Sequence, residues 1–108
     1  MTFYIKQNDT APGLRATLTD GENQAVDLTG ASVRFHMRSI GSNSIIVDST
    51  VYVVPPTTGG IVQYNWAEAD TSSIGSYQAE FEVTYSDSSI ETFPNNGYIR
   101  VEILDDIT

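Results

Sequence analysis

Apolar and polar residues alternate along much of this 108-residue chain, and a period of two is the signature of a strand with one buried and one solvated face. Across residues 31–38, Val33, Phe35 and Met37 point one way and Arg34, His36 and Arg38 the other. Across residues 76–85, Tyr77, Ala79, Phe81, Val83 and Tyr85 alternate against Gln78, Glu80, Glu82 and Thr84. Shorter runs predict further strands over 3–6, 14–19, 25–28, 45–54, 61–66 and 98–104. Turn chemistry separates them: Asp20-Gly21, Thr29-Gly30, Pro55-Pro56 through Gly59-Gly60, and Asp87-Ser88. Pro94 cannot donate a ladder hydrogen bond, so the segment Pro94-Asn95-Asn96-Gly97 interrupts the last strand. The polar stretch 39–44 reads as a hairpin loop, and 68–73 as a single helical turn capped by Asp70 or Thr71. No window of a dozen residues sustains a helical period. The expected architecture is all-β, an antiparallel β-sandwich of about seven to nine short strands with one core.

Composition narrows the partners. One domain spanning 1–108 accounts for the length. There is no Cys, so neither disulfides nor structural zinc hold the fold. Acidic residues number 14 against 5 Lys plus Arg, for a net charge of -9. Phosphate backbones are bound by clustered cations, so nucleic acid is not an expected ligand. No run reaches the ~18 apolar residues of a membrane span, and the N-terminal residues lack a signal-peptide core; synthesis in the cytoplasm is expected.

Within 70–79, Gly75 precedes Tyr77 by two residues at the start of a strong strand, with Asp70 upstream. That spacing resembles the tyrosine corner of immunoglobulin-like sandwiches, with Ala79 where antibody domains place their second Cys. The alternative is that Tyr77 is an ordinary core aromatic. Both readings make it structural.

A search for chemistry is less productive. His36 is the single His, and any nucleophile-base pair would need it. Its parity places it on the polar face between Arg34 and Arg38, as a basic strip that either pairs across strands with Glu80 and Glu82 or stands exposed for docking. Acidic pairs at Asp20 with Glu22, at Asp105 with Asp106, and at Asp9 beside Asn8 lack calcium-loop spacing, so no metal or cofactor is assigned. No spacing argues for a pair of catalytic carboxylates. Trp66 and the Tyr residues raise sugar stacking as an option, but Trp66 is expected in the core.

Ordered pieces of the chain carry a family resemblance. They are Lys6-Gln7-Asn8-Asp9-Thr10, Leu18-Thr19-Asp20, Val26 through Arg38, Gly60-Ile61-Val62-Gln63-Tyr64-Asn65-Trp66, Asp70-Thr71, Gly75 through Phe81, and Thr92 through Tyr98. Together they resemble the N-terminal domain of the baseplate upper protein of siphophages infecting Gram-positive bacteria. The resemblance implies an immunoglobulin-like sandwich in a phage tail tip or baseplate, in the virion, partnered by other tail proteins and by receptor-binding proteins, with a homo-oligomer in the assembly. It also implies a late, non-enzymatic component. Longer relatives continue into helical and receptor-binding-support regions, whereas this sequence stops after its last strand, which suggests an accessory or adaptor. Asn8-Asp9-Thr10 and Asp70-Thr71 are then expected as backbone anchors rather than contact residues. A carbohydrate-binding or host cell-wall receptor-binding accessory protein is the second reading, and an enzyme acting on cell-wall polymer the third.

Overall fold

A computed structural model describes residues 1–107. Nine strands form two layers: β1 (Thr2–Lys6), β2 (Leu14–Thr17), β3 (Ser32–Ser39), β4 (Ile45–Thr50), β5 (Tyr52–Val53), β6 (Ile61–Tyr64), β7 (Gly75–Thr84), β8 (Ile90–Phe93) and β9 (Ile99–Leu104). One sheet runs β1-β9-β7-β3-β4, with β8 also on β7; the other is β2-β6-β5. The all-β sandwich is as the alternation requires. One pairing departs from a wholly antiparallel arrangement: β1 lies parallel to β9.

The period-two pattern sets which side of each strand is buried. Val33, Phe35 and Met37 of β3 sit opposite Val83, Phe81 and Ala79 of β7, all buried. From the smaller sheet, Leu14, Val62 and Tyr64 close the core. Phe35 is its centre: it stacks on Tyr64 at 4.5 Å between ring centroids, meets Trp66 edge-on at 5.6 Å and packs against Phe81 at 5.2 Å. Offset and edge-to-face contacts of this kind add to the burial of aromatic area. Trp66 is 5% exposed, and its buried indole N–H has no hydrogen-bond partner among the described residues.

Several local expectations need correction. Residues 25–28 form no strand; Ala25 makes an isolated bridge to Thr19, and Asp20 turns the chain by accepting from the N–H groups of Glu22 and Gln24. The left-handed residue of that turn is Asn23, at φ 63°, rather than Gly21. The run 45–54 is two strands in different sheets, since β4 pairs with β3 and β5 with β6, and Val51 carries the chain across. The strand β8 lies in a segment that alternation alone leaves unassigned: it brings only Phe93 fully into the core, and β7 holds it by antiparallel pairing over four residue pairs. Residues 94–98 separate β8 from β9. The expected single turn over 68–73 is a 3-10 turn at Glu68–Thr71, but its N-cap is Ala67 rather than Asp70 or Thr71, and Asp70 accepts from the Ala67 N–H.

Candidate functional site

Two groups of residues emerge, one a corner between the sheets and the other on the outer face of the larger sheet.

At the corner, the phenol of Tyr77 donates to the Ser73 carbonyl at 2.6 Å, tying the arch between the sheets to the start of β7. Burial pushes the Tyr77 hydroxyl above its ordinary pKa, which keeps it a donor. Gly75 has φ 154°, and a Cβ there would lie 3.7 Å from the Tyr77 ring. Asp70 accepts from the Ala67 N–H at 2.8 Å and from the Tyr64 hydroxyl. Burial first, then the Asp70 carboxylate, raises the Tyr64 pKa. Thr71 is fully buried and donates to the Asp9 carbonyl at 2.8 Å, while the Asn8 N–H donates to the Thr71 carbonyl at 2.9 Å. Two motif segments far apart in sequence, 6–10 and 70–71, are therefore joined through their backbones. The side chains of Lys6, Gln7, Asp70 and Thr71 make hydrogen bonds to backbone groups, whereas Asn8 and Asp9 take part through their backbones and, like Thr10, are exposed.

On the outer face lie Arg34, His36 and Arg38, alternating along β3 between β7 and the edge strand β4. Glu82 and Glu80 stand directly across from Arg34 and His36, yet neither makes an ion pair among the described residues. The expected pairing of the strip with those glutamates is corrected: Arg34 turns to β4 instead. Its Nε donates to the Asp48 carboxylate at 2.8 Å and its Nη2 to the Asp48 carbonyl at 2.9 Å. Asp48 thus offers the guanidinium a carboxylate oxygen and a backbone carbonyl together. His36 Nε2 lies 3.1 Å from the same carboxylate. The hydrogen bond from Arg34, reinforced by the guanidinium charge, holds the Asp48 carboxyl below the usual range. Arg38 goes the other way, donating to Gln78 Oε1 at 3.3 Å and to the Tyr98 hydroxyl at 3.2 Å, with its guanidinium 5.3 Å from the Tyr98 ring centroid.

These side chains border a shallow depression of about 150 Å³. No nucleophile-base pair lines it, and its one imidazole is engaged with Asp48. A second groove, of about 350 Å³, lies where the smaller sheet stops short of β8 and β9, between Leu18, Phe93 and Ile99. No charged side chain lines it. Of the acidic pairs, Asp20 serves its own turn, and no group of three or more His, Asp or Glu placed to hold a metal occurs among the described residues. Sequence reasoning missed Asp48 and Tyr98, since the first sits on an edge strand and the second in the link before β9; both reach β3 only through tertiary pairing.

The outer face has a charge balance unlike the rest of the molecule. Lys6, Arg34, Arg38 and Arg100 point outward there, and so do Asp48, Glu80, Glu82 and Glu102 in equal number. The excess of acidic residues behind the net charge of -9 therefore lies elsewhere.

The family model of the BppU N-terminal domain matches residues 2–103, nearly the whole chain. The chain belongs to that family. The BppU N-terminal domain is a phage baseplate protein domain, so the corner and the outer face are features of a baseplate β-sandwich. No curated protein matches the chain. Among solved structures, CopC from Methylosinus trichosporium OB3b is similar, with TM-score 0.52 and 13% identity over 99% of this chain and 87% of that one. At that identity the likeness is one of fold, and it supports the two-sheet sandwich.

Proposed function

We propose that this domain is a non-enzymatic structural adaptor of a phage tail tip or baseplate, resident in the virion and docked to other tail proteins. The observation that carries the reading is the family match across residues 2–103. The geometry agrees with it. The corner residues Asp70, Gly75 and Tyr77 serve rigidity, and the strip Arg34, His36 and Arg38 gives a nearly neutral face on an otherwise acidic particle. An acidic protein approaches a partner most easily through the face where its own field is weakest. Receptor-binding proteins of the tail are the natural partners of such an adaptor.

Immunogold labelling of gradient-purified virions, with peptide mass spectrometry of the same particles, tests this. Signal at the tail end is the expected result. A virion preparation without the chain overturns it.

The sugar-binding reading loses its motivating residue, because Trp66 is 5% exposed and packed among Phe3, Phe35 and Tyr64. A buried indole presents no face to a sugar ring.

A further inference from the structure

Asn96 and Gly97 lie in the link 94–98 between β8 and β9, and both are exposed. An asparagine followed by glycine is the sequence in which a side-chain amide is most open to attack by the next backbone nitrogen, since glycine has no Cβ to crowd the approach. In a folded chain the reaction needs two further things. The side chain must be free to swing toward that nitrogen, and the backbone N–H must not be tied into a hydrogen bond.

The other asparagines of the chain each fail one of these conditions. Asn8, Asn23 and Asn43 are followed by a nitrogen that is engaged: Asp9 N–H donates to the Lys6 carbonyl, Gln24 N–H to Asp20 Oδ1 and Ser44 N–H to Ser42 Oγ. At Asn65 and Asn95 the side chain is held. Asn65 Oδ1 accepts from Gln63 at 2.8 Å, and Asn95 Nδ2 donates to the Thr92 carbonyl at 2.9 Å and to Glu91 Oε2 at 3.2 Å. Asn96 is the exception. Among the described residues neither its side chain nor the Gly97 N–H makes a hydrogen bond. Gly97 turns the chain at φ 78°, and nothing lies within 4 Å of where its Cβ would be.

We propose that Asn96 is a site of spontaneous deamidation in the native protein, with water as the only co-reactant. The Gly97 nitrogen, its proton taken by solvent base, attacks the Asn96 side-chain carbonyl carbon. A C–N bond forms there, the bond to the amide nitrogen breaks, and that nitrogen takes up a proton and leaves as ammonia. Water then opens the cyclic imide. Cleavage at the side-chain carbonyl gives aspartate; cleavage at the backbone carbonyl gives isoaspartate, which carries the main chain through the side-chain methylene. Either product adds one negative charge to the net charge of -9. Isoaspartate also lengthens a link whose ends are fixed, with Phe93 paired to Phe81 and Ile99 to Ala79. Tyr98, whose hydroxyl and ring receive Arg38, lies in that link and takes up the added length. The site is independent of the baseplate assignment.

Native and guanidinium-unfolded protein, held in parallel in mildly alkaline buffer, are digested at acid pH and read by mass spectrometry with electron-transfer fragmentation, which tells isoaspartate from aspartate. A link that opens at almost no free-energy cost gives no protection, so conversion at Asn96 in the native protein is expected within about threefold of the unfolded rate. Asn8, Asn23, Asn43, Asn65 and Asn95 are expected to stay intact in the native protein over that interval, and Asn96→Gln, whose longer side chain closes the ring poorly, is expected to abolish the native isoaspartate signal. Native protein that stays unmodified overturns the proposal, whether or not the unfolded chain converts. Faster conversion at another Asn overturns it too, as does native isoaspartate that survives Asn96→Gln. In the isoaspartate fraction, isolated by anion exchange, the Arg38 Nε–H and Tyr98 ring resonances are expected to move while those of the Tyr77 ring hold; unmoved signals overturn the coupling to Arg38.

Discussion

Single side chains at the corner do work that their chemistry makes measurable. Tyr77→Phe keeps the ring against Gly75 and removes one hydrogen bond, to Ser73. The expected loss is about 1 kcal/mol in urea unfolding, the usual net worth of one such bond. Thr71→Val is expected to cost at least as much, on the order of 1–2 kcal/mol, because it removes from a fully buried residue the hydroxyl that donates to the Asp9 carbonyl. By contrast, Glu82→Gln is expected to shift stability by under about 0.5 kcal/mol, since Glu82 has no ion-pair partner among the described residues. A larger shift in the denaturation midpoint would mean that Glu82 does engage Arg34 in solution. The identity of the Tyr77 corner was readable from Gly75 and Tyr77 spaced by two; the bond to Thr71 was not, because its acceptor lies 62 residues away.

At the level of elements, β3 and β7 are the spine of the larger sheet, and their inward residues were legible because each strand alternates without interruption over eight and ten residues. Phe35→Ala removes the ring on which Tyr64, Trp66 and Phe81 all pack. A loss of about 3–5 kcal/mol is expected, enough to unfold a domain of ordinary stability at modest urea. Shorter elements were harder to read. Residues 45–54 look like one strand because nothing in them breaks alternation or propensity, and the division at Val51 arises from where β3 and β6 stand to receive the two halves. Gly60 shows the converse, a local demand made by packing: it holds φ 67°, and a Cβ would fall 2.8 Å from the Leu18 carbonyl. Gly60→Ala is therefore expected to lower the melting temperature, through both backbone strain and collision with the Leu18 and Val26 backbone.

For the whole molecule, pH dependence follows from tyrosines rather than from the many acids alone. Burial, and then the hydrogen bond to Glu91, pushes the Tyr85 pKa from 10.0 to about 12, and Tyr64 is raised further by burial and Asp70. A pKa raised by folding gives stability that is intact below pH 10 and is lost as pH climbs toward the folded value, because the unfolded chain ionises first. Alkaline unfolding over that window is expected, followed by circular dichroism, with Tyr85→Phe reducing the steepness of the loss. On the acid side, Asp48 and Glu102 have lowered pKa values through hydrogen bonds from Arg34 and Ser76 respectively. Their contribution is present above the ordinary carboxylate range and disappears as pH falls through the folded values; exposure keeps it small.

Alternation and composition by themselves determined that this chain is a β-sandwich with one staple-free core, because a period of two assigns every side chain of a strand to one face regardless of which strand lies beside it. Ordered motifs added the family. Pairing partners were decided only by the tertiary structure: Arg34 had Glu82 and Asp48 within reach on opposite sides, and the choice depended on β4 being an edge with an unused carbonyl. Strand neighbours, edges and the neutral outer face are properties of how the sheet is ordered, and sheet order is set by contacts between residues distant in sequence.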